Sequence, residues 1–148
     1  MSERPLAEPR QAYPFFTRIT TRWMDNDLYG HINNAVCYSF FDTAVNSYLI
    51  ERGALDIHAG GVVGLVVETH CNFFSPLRYP HAVEAGMRVA RVGNSSVRYE
   101  IGLFADAAAS SAASGHFVHV YVERGSQRPI TLPQGLLAAL APLRTDPS

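Results

Sequence analysis

The sequence predicts an α+β fold in which a five-stranded antiparallel sheet wraps around one long central helix. Two observations carry this prediction. Residues 35–49 (AVCYSFFDTAVNSYL) are apolar on almost every side of a helix, as expected of a helix that is enclosed. The segments that follow alternate apolar and polar residues with the period of two that is typical of strands. A long helix followed by mostly hairpin-connected strands is typical of the α+β class.

The first strand is predicted in residues 15–23, which alternate loosely and lead into an acidic turn. The helix is predicted to begin at an N-cap formed by Asn33 or Asn34, because an asparagine side chain can accept a bond from a first-turn amide. It is predicted to end near Arg52, since Gly53 occupies a normal C-terminal position. The remaining strands are predicted in residues 61–74, 82–92, 97–103 and 115–123, and a short amphipathic helix in 134–140.

The strand pattern also predicts which side chains share a face. In residues 61–74 the odd-numbered side chains, Thr69 among them, are predicted to form one buried face, with Glu68 and His70 on the polar one. Val97, Tyr99, Ile101 and Leu103 are predicted to share a face of the next-but-one strand, and Val118, Val120 and Val122 a face of the last. The small residues of 105–114 (ADAAASSAAS) predict a floppy hairpin tip.

Length and composition describe an ordinary globular protein. One domain is expected for 148 residues. A net charge of −1, without basic runs, argues against nucleic acid or an anionic membrane as partner. The predicted helix contains Asp42 and Asn46 and is too short and too polar to span a membrane. Cys37 and Cys71 do not make a disulfide framework, so a reducing, cytoplasmic location is expected.

The domain is predicted over residues 15–142. Residues 1–14 carry charges and three prolines but lack the apolar segment of a signal peptide, which predicts a flexible N-terminal tail. Residues 143–148 are predicted to be a C-terminal tail.

The segment DNDLYGHINN at 25–34 places two carboxylates, Asp25 and Asp27, directly before the predicted helix. Free N–H groups and the positive end of the helix dipole attract negative charge at this point. A carbonyl oxygen that becomes an oxyanion can be held there. Taken alone, Asp27 is also consistent with a turn or capping residue, because aspartate favours both.

The pattern Asp-x-Asp-x-x-Gly-His-x-Asn-Asn before an aromatic-rich helix resembles that of the hotdog-fold thioesterases of the 4-hydroxybenzoyl-CoA thioesterase type. Weaker matches follow at Phe74, Pro76–Leu77, 92–96 and 119–122, so the resemblance covers about residues 15–142. It implies a hotdog fold and an acyl-CoA substrate, with no cofactor. It also implies a homodimer or homotetramer with the active site between subunits.

The resemblance gives roles to individual residues. Asp27 matches the catalytic aspartate, whereas Asp25 is expected to be structural. Asn34 matches the position whose backbone N–H faces the thioester oxygen. Candidate substrate-binding residues are Tyr29, His31, Asn33 and Thr69. Asn33 is also a candidate N-cap, and His31 is also a candidate for a hydrogen bond to the backbone. Thr69 is a candidate for lining the acyl pocket.

Other chemistries find less support. Cys37 lies inside the helix without an evident base and is interpreted as a packing residue. His116 and His119 are three apart in a strand and therefore point to opposite faces, so they cannot bind one metal. No Gly-x-Ser-x-Gly elbow or phosphate-binding glycine loop is present in the sequence. We therefore expect neither a metal nor a cofactor.

Two rival functions remain open. Acyl-thioester hydratases and dehydratases use the same fold with an Asp and a His, but their pattern has Asn-Pro after the Asp, whereas Leu28 follows Asp27 here. The other rival is a non-catalytic hotdog subunit that binds acyl thioesters. For a coenzyme A substrate the candidate phosphate contacts are Arg78, Arg91, Arg98, Arg124 and Arg128.

Overall fold

The computed structural model describes residues 4–56 and 60–145 and confirms the α+β prediction. Its elements are β1 (Phe15–Ile19), α1 (Asn34–Glu51), β2 (Val62–Phe73), β3 (Val83–Val92), β4 (Ser96–Ala105), β5 (Ala113–Glu123) and α2 (Gln134–Leu140). All strand pairs are antiparallel and the sheet order is β1-β3-β4-β5-β2, so β1 and β2 form its edges. None of the helices in the described ranges combines the length and apolar character needed to cross a membrane.

Both ends of α1 follow from local chemistry. Asn33 is the N-cap: its side-chain oxygen accepts a hydrogen bond from the backbone N–H of Ala35, 2.8 Å away. At the other end Gly53 has φ +70°, a conformation that glycine adopts without the steric cost borne by other residues. The sequence therefore predicted the boundaries of this helix correctly.

α1 packs on the sheet through a single stripe of side chains. The buried residues recur at the three- and four-residue spacing of one helix face: Cys37, Phe40, Phe41, Ala44, Val45, Tyr48 and Leu49. Asp42 and Ser47 lie on the opposite, exposed face. The expectation that α1 is enclosed on every side is therefore wrong for the single chain, because the curved sheet covers only one side of the helix.

The middle of the sheet shows the predicted alternation. Val97, Tyr99, Ile101 and Leu103 of β4 are completely buried on the face toward α1. Arg98 and Glu100 lie on the outer face and form a salt bridge of 3.2 Å. His116 and His119 of β5 point to opposite faces, as predicted: His119 is buried, whereas His116 bonds to Glu68 on the outer face.

β2 departs from the predicted alternation because it contains a β-bulge. Val66 pairs with His119, but Glu68 pairs with Val118, so Val67 is an extra residue. The bulge switches the faces, and the odd-numbered residues before and after it lie on opposite sides of the sheet. The prediction of one continuous buried face is therefore wrong. As an edge strand β2 is also largely exposed, with Thr69 among its exposed residues.

The structure places residues 8–13, which we predicted to belong to a flexible tail, against the outer face of the sheet. Tyr13 lies over Gly86 and Gly102, which are register partners, and a Cβ at either glycine would come within 2.8 Å of the tyrosine ring. Arg88 donates to the carbonyl of Ala12 and bridges to Glu8. This part of the chain is packed because two neighbouring glycines leave a groove for an aromatic ring.

The hairpin tip between β4 and β5 is held by the same N-terminal segment. The backbone N–H of Ser111 donates to the carbonyl of Glu8, and the Ser111 hydroxyl accepts from the Glu8 N–H, both at 2.9 Å. Ala112 is buried. The predicted floppy tip is therefore anchored, and its small residues allow close packing.

Candidate active site

Asp25 holds the loop that leads into α1. Its carboxylate is buried and accepts hydrogen bonds from the backbone N–H of Arg22 at 2.8 Å and from the Arg22 guanidinium at 3.0 Å. Its carbonyl oxygen accepts from the N–H of Asn33 at 2.9 Å. These bonds fix the loop against the N-terminus of the helix, which is the structural role expected of Asp25.

Asp27 stands at the turn of the same loop. Its backbone N–H donates to the carbonyl of His31, and its Oδ1 atom accepts from the N–H of Tyr29, 2.9 Å away. Gly30 closes the turn with φ +77°. Oδ2 has no hydrogen-bond partner within the described ranges, so this oxygen is available to a ligand.

A cavity of about 290 Å³ opens beside this loop. Asp27, His31 and Asn34 are among its polar lining residues. Its other walls are Ile32, Cys37, Phe73, Phe74, Ser75, Pro76, Leu77 and Ala113. The cavity thus lies where the acidic loop and the first turn of α1 meet the adjoining ends of β2 and β5.

The N–H groups of the first turn of α1 face no carbonyl within the helix. Asn34 is the first residue of α1, and among the described residues nothing accepts a hydrogen bond from its backbone N–H. Asn33, one residue earlier, uses its side chain to cap the helix. The residues that line the cavity therefore include a carboxylate, Asp27, and a residue with an unused backbone donor, Asn34.

The remaining predicted residues are distributed differently. Tyr29 and Asn33 border an open depression of about 950 Å³ on the outside of the loop, which also contacts Asp27. The Tyr29 side chain is 85% exposed. Thr69 does not line the cavity: its hydroxyl donates to the carbonyl of His116, 3.1 Å away. The structure thus brings together Asp27, His31 and Asn34 but leaves Thr69 outside, because β2 is an exposed edge strand there.

His31 contributes to the site in two ways. Its carbonyl closes the loop by accepting from Asp27, and its partly exposed ring borders the cavity. The ring makes no hydrogen bond with any residue in 4–56 or 60–145, so the expected bond from the ring to the backbone is absent there. The ring is therefore free to contact a ligand.

Sequence reasoning missed most of the cavity walls. Phe73, Phe74 and Ala113 come from strand ends far from the loop in sequence. The signal that was present is the segment after β2, in which Leu77 accepts a hydrogen bond from the N–H of Ile32 at 2.7 Å. This bond docks the segment on the loop, a contact that the weak family match at Pro76–Leu77 did not reveal.

Burial raises the pKa of the Cys37 thiol to about 11. The Cys71 thiol is also buried, and burial, with a further contribution from Cys37, raises its pKa to about 12. Because the thiolate is the nucleophilic form, such thiols are poor nucleophiles at neutral pH. This agrees with the interpretation of Cys37 as an unreactive residue. Among the described residues no cluster of His, Cys, Asp and Glu side chains could hold a metal ion.

Residues 21–140 match the thioesterase-like superfamily, a range that includes the acidic loop, α1 and every wall of the cavity. The chain therefore belongs to the thioesterase-like superfamily. Fold and family together define its class as that of the thioester hydrolases.

Particular relatives are similar over most of the chain. The PA5185 protein from Pseudomonas aeruginosa strain PAO1 is 55% identical over 94% of this chain and 97% of its own, with a TM-score of 0.92. A thioesterase from Thermus thermophilus, complexed with coenzyme A and Zn, is 32% identical over 88% of this chain and 95% of its own, with a TM-score of 0.72. The uncharacterized protein YsmA from Bacillus subtilis (strain 168) is 20% identical over 95 residues, and the match spans 64% of each protein.

Proposed function

We propose that the protein hydrolyses acyl-CoA thioesters to a free acid and coenzyme A. The observation that carries the proposal is that one cavity is lined by Asp27, whose carboxylate keeps an unbonded oxygen, and by Asn34, whose backbone N–H has no acceptor among the described residues. Thioester hydrolysis needs a base or nucleophile on one side of the carbonyl group and a donor to the developing oxyanion. Membership of the thioesterase-like superfamily and similarity to a thioesterase complexed with coenzyme A support the proposal.

The mechanism follows from these two groups. The thioester oxygen accepts a hydrogen bond from the Asn34 N–H, where the helix dipole also favours negative charge. Asp27 then either takes a proton from a water molecule that attacks the carbonyl carbon, or attacks that carbon itself to form an anhydride that water cleaves. In both cases the C–S bond breaks and coenzyme A leaves as a thiolate. The free Oδ2 atom of Asp27 suits either role.

We further propose that the working unit is a homodimer, or a homotetramer built from such dimers. β2 is an edge strand whose apolar side chains are exposed: Leu65 by 40%, Val66 by 45% and Val67 by 60%. No strand of the described chain pairs with its free edge. An exposed apolar edge strand promotes pairing with another chain, so a second copy is the partner that we propose.

Arg78 is the phosphate contact that the structure favours among the candidate arginines. It directly follows Leu77, a residue of the cavity wall, in the chain, and its exposed side chain forms no ion pair with any described residue. Arg98 is engaged by Glu100 on the outer face, and Arg124 donates to the carbonyl of Gly60. Arg78 lines a neighbouring depression that shares Pro76 and Leu77 with the cavity, and a guanidinium in that position suits the phosphates of coenzyme A.

The test is an assay panel that separates this function from its rivals. Thiol release is measured with short, medium, long and aromatic acyl-CoAs, and hydration is measured with crotonyl-CoA. Thiol release that Asp27→Asn abolishes supports the proposal. Hydration of crotonyl-CoA without thiol release indicates a hydratase, and acyl-CoA binding with neither reaction indicates a binding subunit.

A further inference from the structure

We infer that Cys37 and Ala113 form the floor of the acyl-binding cavity and restrict its substrates to compact acyl groups, meaning short chains or a single ring. This inference rests on the proposed function, because it assigns the thioester to the Asp27–Asn34 end of the cavity. The first step is the position of the two residues. Cys37 lies one turn after Asn34 on the same face of α1. Ala113 and Phe73 are register partners where β5 and β2 meet.

Both floor residues are buried although they border the cavity. Cys37 is 3% exposed and Ala113 is 1% exposed. The cavity therefore extends from the partly exposed carboxylate of Asp27 to side chains that lie between the helix and the sheet. Three of its polar lining residues belong to the loop and the helix terminus, and its floor is apolar. An acyl group that enters with its carbonyl at Asn34 points its apolar end at this floor.

The environment of the floor disfavours charge. Burial raises the pKa of the Cys37 thiol. Burial also raises the pKa of the nearby Cys71 thiol, with a smaller contribution from Cys37. Desolvation has this effect because it disfavours the thiolate. The geometry and the thiol environment agree that the inner end of the cavity is shielded from water.

The core behind the floor is closed. Phe41, one turn after Cys37, is completely buried and contacts the ring of Phe117 edge to face at 6.3 Å. A long acyl chain would have to displace these rings. The cavity volume of about 290 Å³ lies at the lower end of ligand sites, which are typically about 300–1,000 Å³. The small side chains at positions 37 and 113 therefore set the depth that an acyl group can reach.

The experiment enlarges one floor residue at a time, Cys37 on the helix side of the cavity or Ala113 on the sheet side. Ala113→Leu and Cys37→Leu each add bulk at the inner end of the cavity and leave the identities of Asp27 and Asn34 unchanged. Ala138→Leu is the matched control, because Ala138 is exposed on α2. Turnover is measured with acetyl-, hexanoyl-, benzoyl- and palmitoyl-CoA. Affinity is measured by calorimetry with the non-hydrolysable thioethers S-ethyl-, S-hexyl- and S-hexadecyl-CoA.

We expect the wild-type protein to bind S-hexyl-CoA more tightly than S-hexadecyl-CoA. Each filled variant should lose at least tenfold for the hexyl and hexanoyl ligands but less than threefold for the ethyl and acetyl ligands, because one misfitting methylene group costs about tenfold or more. The control should match the wild type. Preference of the wild type for palmitoyl or hexadecyl ligands, or equal losses for all lengths in both folded variants, would overturn the inference. Absence of thiol release refutes the proposed hydrolysis, whereas the thioether affinities still decide the depth of the cavity.

Discussion

The backbone N–H of Asp27 donates a hydrogen bond to the carbonyl oxygen of His31, 2.8 Å away, and this bond closes the loop before α1. It fixes the Asp27 carboxylate at the border of the cavity while the His31 ring borders the same space. The loop thus positions a carboxylate through its backbone and leaves one carboxylate oxygen without a partner in the described chain. A residue held in this way is suited to act on a bound ligand.

Asp27→Asn keeps the shape of the side chain and removes its charge. We expect turnover of acyl-CoA to fall at least a hundredfold, since neither water activation nor carboxylate attack remains and general-base loss typically costs about 10²–10⁴-fold. Affinity for a product analogue should be unchanged or slightly higher, because a negative charge beside the thioester is removed. Turnover and affinity are measured on the same preparation.

The control for this variant is Asp42→Asn, which changes an exposed carboxylate on α1. Asp25→Asn is unsuitable as a control, because it weakens a buried carboxylate that holds the loop through Arg22. Retention of more than about a tenth of wild-type turnover by Asp27→Asn would show that the catalytic assignment is wrong.

Two substitutions of Asn34 test whether its backbone N–H donates to the thioester oxygen. Asn34→Ala keeps the N–H and should cost less than tenfold in turnover. Asn34→Pro removes the N–H and should cost about a hundredfold or more, the usual scale for one oxyanion donor. Proline is tolerated at the first position of a helix, and Asn33 already has the extended conformation (φ −60°, ψ 137°) that a residue before proline adopts. Equal losses in two folded variants would contradict a backbone role.

The sequence predicted the elements of this fold because their signals are local. The N-cap at Asn33 and the terminating glycine at Gly53 depend on neighbouring residues alone. The bulge at Val67 could not be predicted, since the run of valines around it is apolar at odd and even positions alike. The docking of Tyr13 could not be predicted from the sequence either, because its groove depends on the pairing of Gly86 with Gly102.

The residues of the candidate site also divide into those that a local sequence signal identifies and those that depend on strand pairing. Asp27, His31 and Asn34 lie within eight consecutive residues, so a motif identifies them together. Ala113 joins the cavity only because β5 pairs with β2 in a register that sets it opposite Phe73. Thr69 was assigned wrongly to a buried face because alternation alone does not show that a strand lies at the edge of a sheet.

Val66→Lys tests the proposed dimer. Val66 faces the α1 side of the sheet, opposite His119, so a lysine there would be enclosed when a second copy pairs with β2. We expect the wild type to be a dimer or tetramer by light scattering at micromolar concentration, and the variant to shift to monomers. Leu6→Lys, at a residue that is 79% exposed on the N-terminal segment, should leave the mass unchanged. A stable, folded wild-type monomer would refute the proposal.

Arg78→Gln tests the phosphate contact. A hydrogen bond between charged groups contributes about 1.5–3 kcal/mol, so KM for an acyl-CoA should rise about tenfold or more with little change in kcat. KM for the matching acyl-N-acetylcysteamine thioester, which lacks phosphates, should not change. Arg4→Gln is the control, since it removes an exposed arginine that is not among the candidate phosphate contacts. A rise in KM for both substrates would indicate a role for Arg78 in loop structure.

His119 makes stability depend on pH. The ring is 2% exposed, its Nε2 atom has no partner among the described residues, and its Nδ1 atom lies 3.4 Å from the Tyr121 hydroxyl. Burial lowers the pKa of His119 from 6.5 to about 4. Between these values the unfolded chain binds a proton that the folded chain excludes. The contribution of neutral His119 to the free energy of unfolding is therefore complete above about pH 6.5 and is lost as the pH falls to about 4.

The shift corresponds to a loss of about 3 kcal/mol in the free energy of unfolding between pH 7 and pH 4. We expect urea titrations of the wild type to show this loss in addition to that caused by the carboxylates. His119→Gln cannot be protonated, retains a hydrogen-bonding group for the Tyr121 hydroxyl and contains the same carboxylates, so its free energy of unfolding should fall by about 3 kcal/mol less over the same range. If wild type and variant lose equal stability, the buried histidine is not the group that titrates.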